Sequence, residues 1–253
     1  MNDTFDPYGV LTEPIVKLVF VLVNAFTTVS WIAIKYLLDR LWPSFKAINP
    51  PHKKWYVVAN ISKACCLGVT VVSCSWWYYA YHAYIVQERD LSATVMYLVK
   101  FSGATYIANH ALVNTDQVHH YVSTTLFFLV AIYDLNHADI VHMINIYAFF
   151  STLAFTTNLF LALRVMYAKT HPTVMRGLAM WSFVVYLAAC TGNWILQGWW
   201  LLRHVIDLRL SIPALFYMLF LALVINDDIV LLRWLYQAGF ETQDTSATTK
   251  KKQ

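Results

Sequence analysis

Two adjacent histidines, His119 and His120, stand at the beginning of an apolar run and are followed by serine and threonine side chains. Residues four positions apart lie one turn apart on the same face of a helix, so His120 and Thr124 are expected to be neighbours. Histidine is the side chain best suited to proton transfer near neutral pH. The segment therefore predicts acid–base chemistry at one end of a helix, although paired histidines could also simply cap a helix at a membrane interface.

Two adjacent aspartates, Asp227 and Asp228, lie inside the last apolar run of the chain. A charged carboxylate near the centre of a bilayer costs roughly 2.5–3.5 kcal/mol, so the two are not expected to face lipid together. Because consecutive helical residues point about 100° apart, at most one of them can be central to a pocket. The other then needs a neighbouring partner or a proton. A structural ion pair of either aspartate with Arg233 is the alternative interpretation.

The predicted site combines these groups with other polar side chains that we expect at the same depth of the membrane. The residues predicted to act in catalysis are His119, His120, Asp227 and Asp228. The residues predicted to bind substrate are Asn109, His110, Thr124, Asn158 and Asn226. For His110 and Asn158 the simpler interpretation is a hydrogen bond between helices. Two further polar residues, Asn193 and Gln197, are expected on the opposite half of the membrane.

The composition indicates an integral membrane protein. Of the 253 residues, 59% are hydrophobic and 13% are charged, whereas about a quarter of the residues in a soluble domain are charged. The net charge of +4 is small and unevenly distributed, so no nucleic-acid partner is predicted. The four cysteines lie in apolar runs without the spacing of a zinc site or a disulfide framework. We therefore predict neither a bound metal nor another bound cofactor.

Seven apolar runs are long enough to cross a bilayer, which requires about 20 residues. They are residues 15–38, 56–79, 92–113, 118–135, 140–166, 174–201 and 211–236. The prediction is therefore an all-α polytopic membrane protein with one transmembrane domain over residues 15–240. Residues 1–14 form a lumenal segment in this prediction, and residues 241–253 form a cytosolic tail.

The basic residues predict the orientation, because lysine and arginine collect on the cytosolic side of membrane proteins. They are concentrated in the first loop, in the loop after the fifth span and in the C-terminal tail, at Lys35, Arg40, Lys46, Lys53, Lys54, Lys169, Arg176, Lys250, Lys251 and Lys252. The N-terminus is then lumenal and the C-terminus cytosolic. This orientation places the predicted site residues in the cytosolic half of the membrane.

The tail ends in "KKKQ", with Lys251 and Lys250 third and fourth from the end. This arrangement resembles the dilysine signal that coat-protein retrieval machinery reads on endoplasmic reticulum membrane proteins. It predicts residence in the endoplasmic reticulum membrane and that machinery as a partner. The alternative is a solvated basic tail beside anionic lipid.

Three segments together resemble the TLC domain family of endoplasmic reticulum membrane proteins, which includes the ceramide synthases. They are "VHHYVSTT" (118–125), "AFTTNLFLALR" (154–164) and "ALVINDDIVLLRWLYQAG" (222–239). The resemblance covers about residues 55–240 and implies a six-helix bundle, preceded here by an N-terminal helix, around a lipid-accessible cavity. In ceramide synthases the paired histidines, matched here by His119 and His120, serve acyl transfer from acyl-CoA to a long-chain base. Phe155 stands where the family usually has an acid, and the acidic block "H-D-x-S-D" of the synthases is lacking, which favours another branch of the family.

A second resemblance is to the fatty-acid elongase family, a seven-span family that uses acyl-CoA from the cytosol. Lys100, His119, His120 and His142 match its motifs, whereas Gly103 and Tyr106 replace its acids. Both resemblances imply membrane lipid and acyl-CoA as partners, with acyl-CoA as a co-substrate. Whether the protein is an enzyme stays open, because a protein that binds membrane lipid without turnover and a seven-helix receptor are alternatives. A homo-oligomer is also left open.

Overall fold

A computed structural model describes residues 14–86, 125, 143, 146–147, 149–206 and 212–241. These residues form helices, and no strand occurs among them, so the all-α prediction is confirmed for this part of the chain. The third and fourth predicted spans lie outside the described residues except for Thr125, which is helical and exposed. The N-terminal segment and the lysines of the tail also lie outside them.

The helices are numbered here in chain order. They are α1 (Pro14–Leu41), α2 (Pro43–Lys46), α3 (Pro51–Val86), α4 (Phe155–Tyr167), α5 (Pro172–Ile206) and α6 (Ile212–Phe240). Three of them, α2, α3 and α5, begin at a proline. Proline is favoured at the first helical position because its fixed φ suits the helix and its missing N–H would have no intrahelical partner there. Helix α4 instead begins after a turn at residues 153–154.

Four helical segments are long and apolar enough to cross a membrane. Among the described residues these are Phe20–Leu41, Phe149–Tyr167, Pro172–Arg203 and Leu215–Phe240. They correspond to the first, fifth, sixth and seventh predicted spans. Large apolar side chains such as Phe26, Trp181 and Phe216 are exposed along them, as expected of helices in contact with lipid. These helices indicate a membrane protein.

The second predicted span coincides with α3, a helix of 36 residues. It is not one of the four described segments that are long and apolar enough to cross a membrane. The total of seven spans, and the orientation of the chain in the membrane, therefore stay predictions.

The helices pack in a row in which α4 lies between α3 and α5, while α5 also contacts α6 and α1 contacts α3. One core cluster, around Phe45, Val58 and Ala162, contains residues of all four helices α1, α2, α3 and α4. A second core, around Phe160, Tyr186 and Leu235, joins α4, α5 and α6. Helix α5 is thus covered on two sides by neighbouring helices, and its buried face is where polar side chains can meet away from lipid.

The beginning of α5 is fastened to the end of α6. Arg176 donates from Nε to the carbonyl oxygen of Gly239 at 2.8 Å and from Nη2 to that of Phe240 at 3.3 Å. These bonds satisfy carbonyl groups that have no partner within the helix itself. A Cβ atom at Gly239 would lie 3.0 Å from the backbone nitrogen of Met180 and 3.2 Å from its Cα. Glycine therefore permits the close approach of α5 and α6, and any larger residue would have to displace Met180.

A second link at the same end of the bundle is made by Arg164 of α4. Its guanidinium lies 4.4 Å from the centre of the Trp234 ring of α6 and also beside the hydroxyl of Tyr56 in α3. A cation over an aromatic face contributes about 0.5–2 kcal/mol, depending on how far it is removed from water. Arg164, the last residue of the "AFTTNLFLALR" segment, thus ties three helices together.

Candidate functional site

Helix α5 carries five buried side chains with polar atoms on one face, and we call this row the polar seam. It consists of Ser182, Tyr186, Cys190, Asn193 and Gln197, all buried. Their spacing along the chain is four, four, three and four residues, which keeps them on one side of a helix. In a helix this apolar, such a row has to face other helices, because lipid offers its polar atoms no hydrogen bonds.

The first residue of the seam, Ser182, bonds to α4. Ser182 Oγ donates to the backbone carbonyl oxygen of Thr156 at 3.0 Å, which joins α5 to α4. Next along α4, the hydroxyl of Thr157 is buried and has no hydrogen-bond partner among the residues that the structure describes. Asn158, also buried, donates from Nδ2 to the carbonyl oxygen of Ala154 in its own helix at 2.9 Å. This bond leaves the amide oxygen and the second N–H of Asn158 for other partners.

The centre of the seam holds a buried carboxylate. The hydroxyl of Tyr186 donates to Oδ1 of Asp228 in α6 at 2.6 Å, and the exposed fractions of the two residues are 8% and 6%. This distance is typical of a hydrogen bond to a charged acceptor. The thiol of Cys190, one turn further along α5, lies beside both groups. Tyrosine, thiol and carboxylate therefore form one cluster between α5 and α6, away from lipid.

The far end of the seam is a network of neutral groups. Gln197 donates from Nε2 to the carbonyl oxygen of Met143 at 2.9 Å and to Oδ1 of Asn193 at 3.2 Å. Its own oxygen accepts a hydrogen bond of 2.7 Å from the hydroxyl of Tyr217 in α6. Both hydrogens and the oxygen of one amide group are thus used, which fixes the packing of α5, α6 and residue 143 relative to one another.

The structure places the predicted residues of α6 in three different environments. Asp228 is buried at the seam, Asp227 is half-buried, and Asn226 is exposed. This sequence of environments follows from the rotation of about 100° per helical residue. Asp228 accepts the hydrogen bond from Tyr186 of α5. Asn226, which is exposed, does not share the seam with Asp228, whereas Asn158 is buried on α4, the helix to which Ser182 of the seam is bonded.

The remaining predicted site residues, Asn109, His110, His119, His120 and Thr124, lie outside the described residues. Their placement beside Asp228 stays a prediction. Within the part of the chain that the structure covers, no three histidine, cysteine, aspartate or glutamate side chains are grouped so that they could hold a metal ion.

Sequence reasoning missed Ser182, Tyr186 and Cys190. Each is unremarkable alone, because serine, tyrosine and cysteine are common in membrane helices. The available signal was the regular spacing, which puts them on the same face as Asn193 and Gln197. That pattern would have pointed to α5 as the helix against which Asp228 is buried.

Comparison of the chain with protein-family models, with curated proteins and with solved structures found no match.

Proposed function

We propose that the protein is an endoplasmic reticulum membrane protein of lipid metabolism that transfers an acyl group from acyl-CoA to a lipid acceptor of the sphingolipid or ceramide type. The observation that supports this proposal is the carboxylate of Asp228, buried between two apolar helices and held by the hydroxyl of Tyr186. An ionisable residue inside a membrane bundle is costly, and such residues are usually kept for function. The type of reaction, acyl transfer from acyl-CoA, is inferred from the resemblance to the TLC family.

In the proposed reaction, an amine or hydroxyl of the acceptor attacks the thioester carbonyl of acyl-CoA. A C–N or C–O bond forms, the C–S bond breaks, and coenzyme A leaves as the thiol. One of His119 and His120 takes the proton from the acceptor and returns it to the departing sulfur. Asp228, and Asp227 beside it, balance the charge of the protonated histidine or orient its ring.

The proposed binding residues contact the polar parts of the substrates. Thr124 and Asn158 contribute a hydroxyl and an amide oxygen, and Asn109, His110 and Asn226 contribute the remaining groups. Asn158 supports this role through its position, because it is buried on the helix that packs between α3 and α5.

The test uses purified protein with labelled acyl-CoA and mixed lipid acceptors. We expect labelled product with the wild type and at least a hundredfold less with His119→Ala, His120→Ala or Asp228→Asn, since a positioned acid–base group contributes about 10²–10⁴-fold. Asp39→Asn is the matched control, because Asp39 accepts bonds of 2.9 Å from Lys35 and Lys54 away from the seam. Full activity of both histidine variants would remove the site assignment.

The same assay separates the alternatives. Product lengthened by two carbons with malonyl-CoA would identify an elongase. Lipid that is bound but never converted, under conditions in which the protein is folded, would identify a lipid-binding protein without turnover.

The proposed location has its own test. Residence in the endoplasmic reticulum, with a cytosolic C-terminus, is proposed from Lys250 and Lys251. Changing both to serine should move a tagged protein to the cell surface, as seen by surface biotinylation, whereas serine at Lys46 and Lys53 should not. An unchanged location of the double variant of Lys250 and Lys251 would remove the retrieval proposal.

A further inference from the structure

A groove of about 460 Å³ runs along α5 and α6, and none of the residues of the polar seam lines it. The apolar end of the groove is lined by Trp194 of α5 and by Ile229 and Leu232 of α6, whereas Phe183 lies further along, beside the rings of Tyr236 and Phe240. Side chains of this kind offer acyl chains a large contact area at low cost in side-chain entropy. The apolar part of the groove alone would fit any membrane lipid.

The α6 wall of the groove changes in polarity along its length. Ile229, Arg233 and Gln237 line it, and their spacing of four residues places them along one side of the helix. Glu241, which follows directly after the last residue of α6, also lines the groove. Going towards the end of α6, the wall is first apolar, then cationic, then neutral and polar, and finally anionic. At 1.5 Å per residue, Arg233 and Glu241 are separated by about 12 Å along the helix axis.

The two charges are available to a ligand. Arg233 and Glu241 are both exposed, and neither belongs to the ion pairs that Asp39 forms with Lys35 and Lys54. Two other arginines lie near this part of α6: Arg164 lies over the ring of Trp234, and Arg176 donates to the carbonyl oxygens of Gly239 and Phe240. A guanidinium presents a planar set of donors that suits a phosphate group. A carboxylate beyond it would attract an ammonium group.

We propose that this groove binds one glycerophospholipid with a zwitterionic, amine-bearing headgroup. The polarity of a phospholipid in a leaflet changes in the same order as the wall, from acyl chains through phosphate to amine. The acyl chains lie on Trp194, Ile229 and Leu232, the phosphate on Arg233, and the amine towards Glu241. This inference goes beyond the proposed acyl transfer, because it concerns a bound structural lipid on a different face of α5 and α6.

The test measures retained lipid and requires no turnover, so that its failure and a failure of the proposed reaction are distinguishable. The full-length protein is reconstituted into bilayers with equal amounts of phosphatidylethanolamine and phosphatidylglycerol, extracted in mild detergent, and analysed by native mass spectrometry. We expect the wild type to retain one phosphatidylethanolamine about tenfold more often than phosphatidylglycerol, a ratio equivalent to about 1.4 kcal/mol.

Two variants test which residue contacts each end of the headgroup. Arg233→Gln should lower the retention of both phospholipids about tenfold through loss of the phosphate contact. Glu241→Gln should keep a bound phospholipid but abolish the preference for phosphatidylethanolamine. Arg40→Gln is the matched control, because Arg40 is also an exposed arginine near the end of an apolar helix and contacts only the hydroxyl of Tyr36 within its own helix.

All these positions are exposed, so the variants should fold as the wild type does, which a melting curve checks. Wild-type retention by Arg233→Gln would overturn the proposal. A wild type without preference between the two lipids, or a preference that survives Glu241→Gln, would overturn the assignment of the amine to this end of the groove.

Discussion

Replacing Tyr186 with phenylalanine should lower the free energy of unfolding by about 2–3 kcal/mol, because the variant keeps the ring in place and removes only the hydroxyl that donates to Asp228. The carboxylate would then stay between α5 and α6 without this donor. Removing one partner of a buried charged interaction is more costly than removing both, since the remaining charge is left without compensation. Titration of the purified protein with a denaturing detergent, followed by circular dichroism, measures the change.

Two comparisons make this result specific. Asp228→Asn keeps an oxygen that can accept from Tyr186, so its free energy of unfolding should remain within about 1 kcal/mol of the wild type. Tyr236→Phe removes a hydroxyl from a side chain that is 47% exposed and should have no effect. Equal stability of Tyr186→Phe and Tyr236→Phe would mean that the bond between Tyr186 and Asp228 does not stabilise the packing of α5 on α6.

The second large effect is expected at Gln197, whose amide joins three partners. Gln197→Leu has nearly the same volume but leaves the carbonyl of Met143 and the hydroxyl of Tyr217 without this partner. Hydrogen bonds between membrane helices contribute about 0.6–2 kcal/mol each, so we expect a loss of about 2 kcal/mol. The same detergent titration measures it.

Gln237→Leu provides the control, since Gln237 is an exposed glutamine on the neighbouring helix. It should leave the free energy of unfolding unchanged or raise it slightly by removing a polar group from the lipid side. A second test distinguishes the two ends of the seam: Gln197→Leu should lower stability without changing acyl transfer at a temperature where the variant is folded. Loss of activity under that condition would extend the reacting region to Gln197.

Five of the seven apolar runs overlap described helices, but they did not give the bounds of those helices. Helix α3 was predicted over residues 56–79 and begins at Pro51, because hydropathy marks only the apolar part of a helix whose first turn, residues 51–54, is polar. Proline at the first helical position marks the true beginning of α3 and α5. Hydropathy could not reveal which helices are neighbours, since several apolar helices can pack in many orders.

The energetic cost of a carboxylate in an apolar helix could be read from the sequence. The packing of α5 against α6, which determines the neighbours of that carboxylate, could not. Asp228 was expected to matter because a carboxylate in an apolar helix is costly, and the structure buries it while leaving Asp227 half-buried. Which of the two aspartates faces inward depends on the rotation of α6 against α5, which no local pattern determines. Tyr186 was missed for the same reason, because a tyrosine is equally suited to a lipid interface and to a buried hydrogen bond.

The proposed reaction requires the paired histidines and Asp228 to share one hollow, and a native thiol beside Asp228 allows a direct test. Cys190 is kept as the single thiol by replacing Cys65, Cys66 and Cys74 with serine, and a second cysteine is introduced at His119 or His120. A short bifunctional thiol reagent is then applied, and the linked peptides are identified by mass spectrometry. A parallel protein carries Cys190→Ala and Gln197→Cys, which moves the reporter thiol to the far end of the seam. We predict a link from position 119 or 120 to Cys190 and none to position 197. Links to position 197 without any to Cys190 would contradict the shared site.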